Sequence, residues 1–125
     1  MREILFKAKR IDNGEWVEGF VYVCGRTGEV EISWYNEEIN MERYTAIVDP
    51  ETVCEYTGLV DSKGNKIFEH DIIDIIGSKK QGIPAPVEWF SVECQFAISR
   101  HPYNHIWLCE FDPKKHFKIV GNKFD

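Results

Sequence analysis

The constraint that most limits this chain is a hydrophobic repeat of two residues, running from its first strand-like segment to its last. Side chains alternate across a β-strand, so apolar residues at every second position mark a sheet, whereas a surface helix needs a period of 3.6. Ile4, Phe6 and Ala8 alternate with Leu5, Lys7 and Lys9, and Asp12-Asn13-Gly14 follows, with residues that accept the positive φ of a tight turn. Residues 15–24 put Trp16, Phe20, Tyr22 and Cys24 on one face and Val17, Val21 and Val23 on the other. That pattern predicts a long strand buried on both faces, with Gly19 at a bulge or a close approach. After the turn at 25–28, Glu29, Glu31 and Ser33 point out and Val30, Ile32 and Trp34 point in. Residues 36–43 are polar and acidic, a loop or one helical turn, before strand composition returns at 44–48 and Asp49-Pro50 ends it.

In the second half, residues 56–60, 67–68 and 71–76 read as strands, with a hairpin loop after the first in which Gly64 suits the left-handed position. Residues 77–86 form a loop, and strand composition resumes at 87–90, 92–99, 106–111 and 117–120. No stretch of ten residues carries a helical pattern, and there is no internal repeat. The fold class is therefore all-β, a small antiparallel barrel or sandwich.

A length of 125 residues with 43% hydrophobic composition suits one domain with its own core. Charges interrupt the first ten residues where a secretory signal would be apolar. The most apolar run, Ile72-Ile73-Asp74-Ile75-Ile76, is far short of a membrane span. These features predict a cytoplasmic protein with no membrane association. Cys24, Cys54, Cys94 and Cys109 are scattered and lack a Cys-x-x-Cys, which fits reduced, mostly buried thiols better than disulfides.

Residues 1–60 hold 6 Lys and Arg against 12 Asp and Glu, and residues 61–125 hold 9 of each, so the whole formal charge of −6 lies in the first half. A phosphate backbone would be repelled there. Cys94, His101, His105 and Cys109 have the ligand types of a zinc site, but their spacing does not let one turn present a pair of ligands. Glu69, His70, Asp71 and Asp74 could suggest a metal or acid–base cluster, yet alternation splits them between two faces, and solvated carboxylates explain them better. Asp61-Ser62-Lys63-Gly64-Asn65 fails as a calcium loop because lysine occupies a ligand position. No phosphate-binding loop or activated nucleophile is marked, so the expectation is a protein without enzymatic activity and with no cofactor or metal.

Four segments resemble the YopX-like proteins of phages and prophages. They are residues 1–8, Trp16-Val17-Glu18-Gly19, the stretch 50–72 containing Tyr56-Thr57-Gly58-Leu59-Val60-Asp61, Gly64 and Asp71-Ile72, and Ile119-Val120-Gly121-Asn122. Together they span the chain in order. The family commonly has glycine where this chain has His70, so either position 70 needs no positive φ or strain is tolerated there. The resemblance implies a single YopX-like domain over 1–125, with an N-terminal β subdomain at 1–55 and an SH3-like barrel at 56–125. It implies no known activity, since the family is functionally uncharacterised. Its signature reads as structural: Tyr56 and Leu59 for core, Thr57 within the same strand, Gly58 and Gly64 for turns, Asp61 and Asp71 for local hydrogen bonds, and Gly121 with Asn122 near the end.

The leading expectation is a non-catalytic accessory protein that binds a protein partner through an acidic face at Glu37, Glu38 and Glu42, where charge would steer a basic partner. One alternative is nucleic-acid binding by the second half through Lys79, Lys80, Lys114 and Lys115 among exposed aromatics, with Trp34, Tyr35 and Tyr103 the aromatics best placed for exposure. Another is a small-molecule enzyme using carboxylates near Asp71. Open strand edges would also permit a homo-oligomer.

Overall fold

A computed structural model describes residues 3–36, 38, 41–77, 83–99 and 106–125, and the chain divides into two compact units, Met1–Tyr56 and Thr57–Asp125. Both are built from antiparallel strands, and the only α-helix among the described residues is one turn long.

In the first unit, β1 (Phe6–Lys9), β2 (Trp16–Val23), β3 (Val30–Asn36) and β4 (Glu42–Val48) pair in the order β4-β3-β2-β1. A 3₁₀ turn at Pro50–Thr52 leads into β5 (Cys54–Val60), whose first residues pair with the other edge of β1, Cys54 opposite Lys7 and Glu55 opposite Phe6. Asp49 caps this turn by accepting from the Glu51 N–H, and Thr52 Oγ1 accepts from the Lys9 N–H at 2.9 Å. The Arg10–Val48 bridge, with the bonds Ile11 N to Ile47 O and Asp49 N to Lys9 O, brings the end of β4 against the end of β1, so the sheet rolls over its own core.

That core is Ala8, Val30, Ile32 and Val48, with Phe6, Val17, Val21, Trp34 and Val53 against it. The inner side read for β3 holds, with Val30 and Ile32 buried and Trp34 half-buried, but Ser33, expected to point out to water, is 7% exposed and accepts from Arg43. The expectation for β2 does not hold. Val17 and Val21 pack against the core while Val23 beyond them is 58% exposed, and on the other face Phe20 is 58% and Tyr22 57% exposed, because the rolled sheet has a covered inner face and a bare outer one. The strand composition expected from residue 44 begins at Glu42.

In the second unit β5 continues and pairs with β6 (Lys66–Phe68). A five-stranded sheet follows in the order β10-β9-β8-β7-β11, formed by β7 (Asp71–Ile75), β8 (Ala85–Phe90), β9 (Gln95–Ile98), β10 (Ile106–Trp107) and β11 (Phe117–Asn122). Ile67, Ile73, Ile75, Val87, Ile98 and Phe117 form its buried centre. The barrel expected over residues 56–125 stands, among the described residues, as an open sheet. The β5–β6 hairpin meets β11 through the bond Ser62 N to Phe117 O and through the Asp61 side chain, and these contacts do not make a strand ladder.

A second correction concerns residues 92–99. Residues 91–94 are the β8–β9 turn, so Val92 is 91% exposed, and Cys94 takes φ +54 and is exposed instead of buried in a strand. Cys24 is half-buried and Cys54 buried, and the three described cysteines are thiols.

The roll of the first sheet depends on Gly19. A Cβ there would overlap the Ser33 carbonyl and press on the Ile32 side chain, so backbone would have to move. Gly19→Ala is expected to cost about 2–3 kcal/mol, read as a fall in the urea midpoint, with the loss reported by Trp16 and Trp34 fluorescence from this unit.

Candidate functional site

The family-like signature folds into two clasps. Asp61, 2% exposed, opens the β5–β6 turn, where its Oδ1 accepts from the Lys63 N–H at 2.9 Å and the Asn65 N–H at 2.8 Å. Its Oδ2 accepts from the Ile119 N–H of β11 at 3.2 Å. Burial opposes ionisation of this carboxyl, but the N–H groups of Asn65, Ile119 and Lys63 outweigh it and hold the group below its ordinary value of 3.8. Asp71, 1% exposed, accepts from the Phe68 N–H at 2.8 Å and from Asn122 Nδ2 at 2.9 Å. Asn122 Oδ1 in turn accepts from the Phe124 N–H, and the Asn122 N–H donates to Asp125.

The remaining signature residues serve the same framework. Thr57 Oγ1 donates to the Ile67 carbonyl at 2.7 Å, Tyr56 is buried, and Leu59 packs against the core. Gly58 and Gly64 take φ of +88 and +81, and Gly121 follows a register shift in the β7–β11 pairing.

His70 takes φ +69, so this position does adopt the conformation that suits glycine, and here a histidine bears it. Its Nδ1 lies 3.1 Å from Glu88 and its Nε2 3.8 Å from Glu69, while the ring meets Phe124 edge-on at 5.1 Å. Asp71 is committed to Phe68 and Asn122, and Asp74 lies opposite Lys118. Among the described residues no three His, Cys, Asp or Glu side chains gather as metal ligands. His101 and His105 lie outside the described residues, as do the side chain of Cys109 and residues Lys79, Lys80 and Tyr103. A cleft of about 580 Å³ is lined by Gly58, Leu59, Val60, Asp112, Pro113 and Lys114. It does not include Asp71, and its one carboxylate, Asp112, caps the helical turn at Pro113–His116 by accepting from the Lys114 N–H.

The outer face of the first unit's sheet differs in kind. The pairing register places Tyr22, Glu31 and Ile47 in one row, Phe20, Ser33 and Thr45 in the next, then Tyr35 beside Arg43, and Trp16 beside Lys9. Phe20, Tyr22 and Tyr35 are each more than half exposed. Lys7 and Lys9 place their ammonium groups 4.8 and 5.5 Å from the Trp16 ring, and Arg43 Nη2 donates to Ser33 Oγ at 3.1 Å. Of the proposed acidic face, Glu38 and Glu42 are exposed at the β3–β4 end of this sheet, and Glu37 lies outside the described residues. Tyr35 is exposed as expected, whereas Trp34 is half-buried and stacks on Tyr44 at 6.0 Å. Phe20 and Tyr22 went unread as surface residues, although Glu18 on their face was a signal that this side of β2 meets water.

Asp61→Asn should remove about 3 kcal/mol at neutral pH, because it removes the charge and keeps only one acceptor oxygen, so that an NH2 group faces either the turn N–H groups or the Ile119 N–H. Because the folded carboxyl titrates below its unfolded value, its contribution is complete above that unfolded value, near pH 4, and disappears as pH falls through the folded one. Urea titrations at pH 7 and at a series of values below 4 should therefore show the parent well above the variant at neutral pH and the gap narrowing as pH falls.

No helix among the described residues is long and apolar enough to cross a membrane. A search of curated proteins finds no match. The family model described as YopX protein matches residues 5–125, covering nearly the whole chain and both clasps, and the chain belongs to the YopX family.

Proposed function

We propose that this chain is a non-catalytic module that binds a protein partner on the outer face of its first sheet. The observation that carries this reading is the row of aromatics Phe20, Tyr22 and Tyr35, each more than half exposed on a regular sheet face. Rings of this size bury about 150–250 Å² each, so the three offer on the order of 300 Å² of apolar surface, the scale at which patches on monomers are often functional. At about 25 cal/mol per Å² that is roughly 8 kcal/mol of gross gain, within the range of the cost of association, so the surrounding charges must contribute as well.

Aromatics at the centre with Lys7, Lys9, Arg43, Glu18 and Glu31 around them match the composition of protein interfaces. The excess of 12 acidic over 6 basic residues in 1–60 favours a basic protein over nucleic acid, and Glu38 and Glu42 stand where they would steer its approach. A non-catalytic role is supported by the two deeply buried carboxylates, Asp61 and Asp71, both of which are committed to holding turns.

A photo-crosslinking residue at position 22, used in the expressing host, would identify the partner, and calorimetry on the purified pair would then measure affinity. Phe20→Ser with Tyr22→Ser should weaken binding at least about 30-fold. Glu38→Lys with Glu42→Lys should slow association at low salt while changing dissociation little. Unchanged affinity in the Phe20 and Tyr22 variant would overturn the reading, as would recovery of nucleic acid alone.

A further inference from the structure

We infer that the outer edge of β4 takes up an extended, lysine- or arginine-containing segment of the partner as an added strand. This deepens the binding reading above and rests on it.

β4 is the terminal strand of its sheet, and its register with β3 runs from Val30 opposite Val48 to Asn36 opposite Glu42 without a shift. Backbone groups of an edge strand alternate between the neighbour and the open side. On the open side, Ile47 O and Asp49 N already bond to Ile11 and Lys9, so the residues in phase with them, Arg43 and Thr45, also point their N–H and C=O groups away from β3. The chain thus uses one end of this edge to hold β1 and leaves the other end regular.

Natural edges are blunted by proline, bulges or coverage, and residues 42–45 have no proline, no bulge and are all exposed. A guest strand would meet two prepared surfaces. On one side lies the Trp34–Tyr44 stack, with Tyr44 37% exposed, suited to an apolar guest side chain. On the other, Arg43 and Thr45 border Tyr35 and Ser33 and so join the guest to the aromatic face. Main-chain bonds would supply affinity and the alternate side chains selectivity.

Charge chooses the occupant. Glu38 and Glu42 are exposed beside this edge within a half-chain of formal charge −6, which attracts a basic segment and opposes a second copy carrying the same charge.

The test uses the full chain and a fluorescein-labelled peptide of about ten residues alternating lysine and valine, with a counterpart N-methylated at alternate residues so that one edge cannot pair. Fluorescence anisotropy should show binding by the first peptide and at least about tenfold weaker binding by the second. Thr45→Pro should lose the same peptide with an unchanged circular dichroism spectrum. The amides of Arg43 and Thr45 should gain exchange protection in the complex of the parent chain. Equal binding of the N-methylated peptide, or no binding up to about 1 mM, would overturn strand addition. So would a dimer in light scattering that Thr45→Pro dissolves, since a second copy would then hold the edge. If, in calorimetry without the crosslinker, Phe20→Ser with Tyr22→Ser releases the partner that crosslinking identified and Thr45→Pro does not, strand addition fails and the binding face stands. If neither releases it, both readings fall.

Discussion

Everything in the second unit hangs on two carboxylates taken out of water and given main-chain donors in exchange. An ionised carboxylate in a core costs several kcal/mol unless its lone pairs are filled. Asp61 fills them with Lys63, Asn65 and Ile119, and Asp71 with Phe68 and Asn122. In each case one oxygen closes a tight turn in the early part of the unit, and the other reaches β11 at the end of the chain. The apolar core is non-directional and would accept other registers of β11. The two clasps would not, because a slip of one residue would leave a buried carboxylate without its donor. They act in place of the ladder that would have closed a barrel.

The first unit solves its packing problem by curvature. Ala8, Val17, Val21, Val30, Ile32 and Val48 are small or β-branched, which lets the inner surface contract, and Gly19 removes the one side chain that would keep β2 and β3 apart. Curvature of this kind uses Val17 and Val21 of β2 and leaves Phe20 and Tyr22 on its other face exposed. The exposure of Phe20 and Tyr22 is therefore a geometric consequence of how the core was built.

How much of this was legible follows from the range of each interaction. The alternation of β3 could be read because Glu31 and Ser33 interleave with the apolar Val30, Ile32 and Trp34. On β2 both faces are largely apolar, Glu18 being the one polar residue that marks the exposed side, and the roll of the sheet decides which face is buried. Val92 and Cys94 fit a strand period, yet a turn at 91–94 was needed to bring Phe96 against Trp89, at 5.0 Å. Asp61 and Asp71 could be recognised as turn residues from their neighbours, but the partners that make them clasps lie 58 and 51 positions away. Periodicity carries no information at that distance.

Of the residues through which the chain resembles the YopX proteins, Trp16 and Gly19 stand in the first unit, whereas Thr57, Asp61, Asp71 and Asn122 spend their polar groups inside the second. Residues able to contact another molecule, Phe20, Tyr22, Tyr35 and the β4 edge, belong to the first unit, where no clasp fixes their identity. A scaffold held by internal carboxylates can change its outer sheet face at small cost to its fold, since surface substitutions away from such features usually shift stability by no more than about 0.5 kcal/mol. The exposed rows of the first sheet can therefore change while the buried aspartates keep the second unit's fold constant.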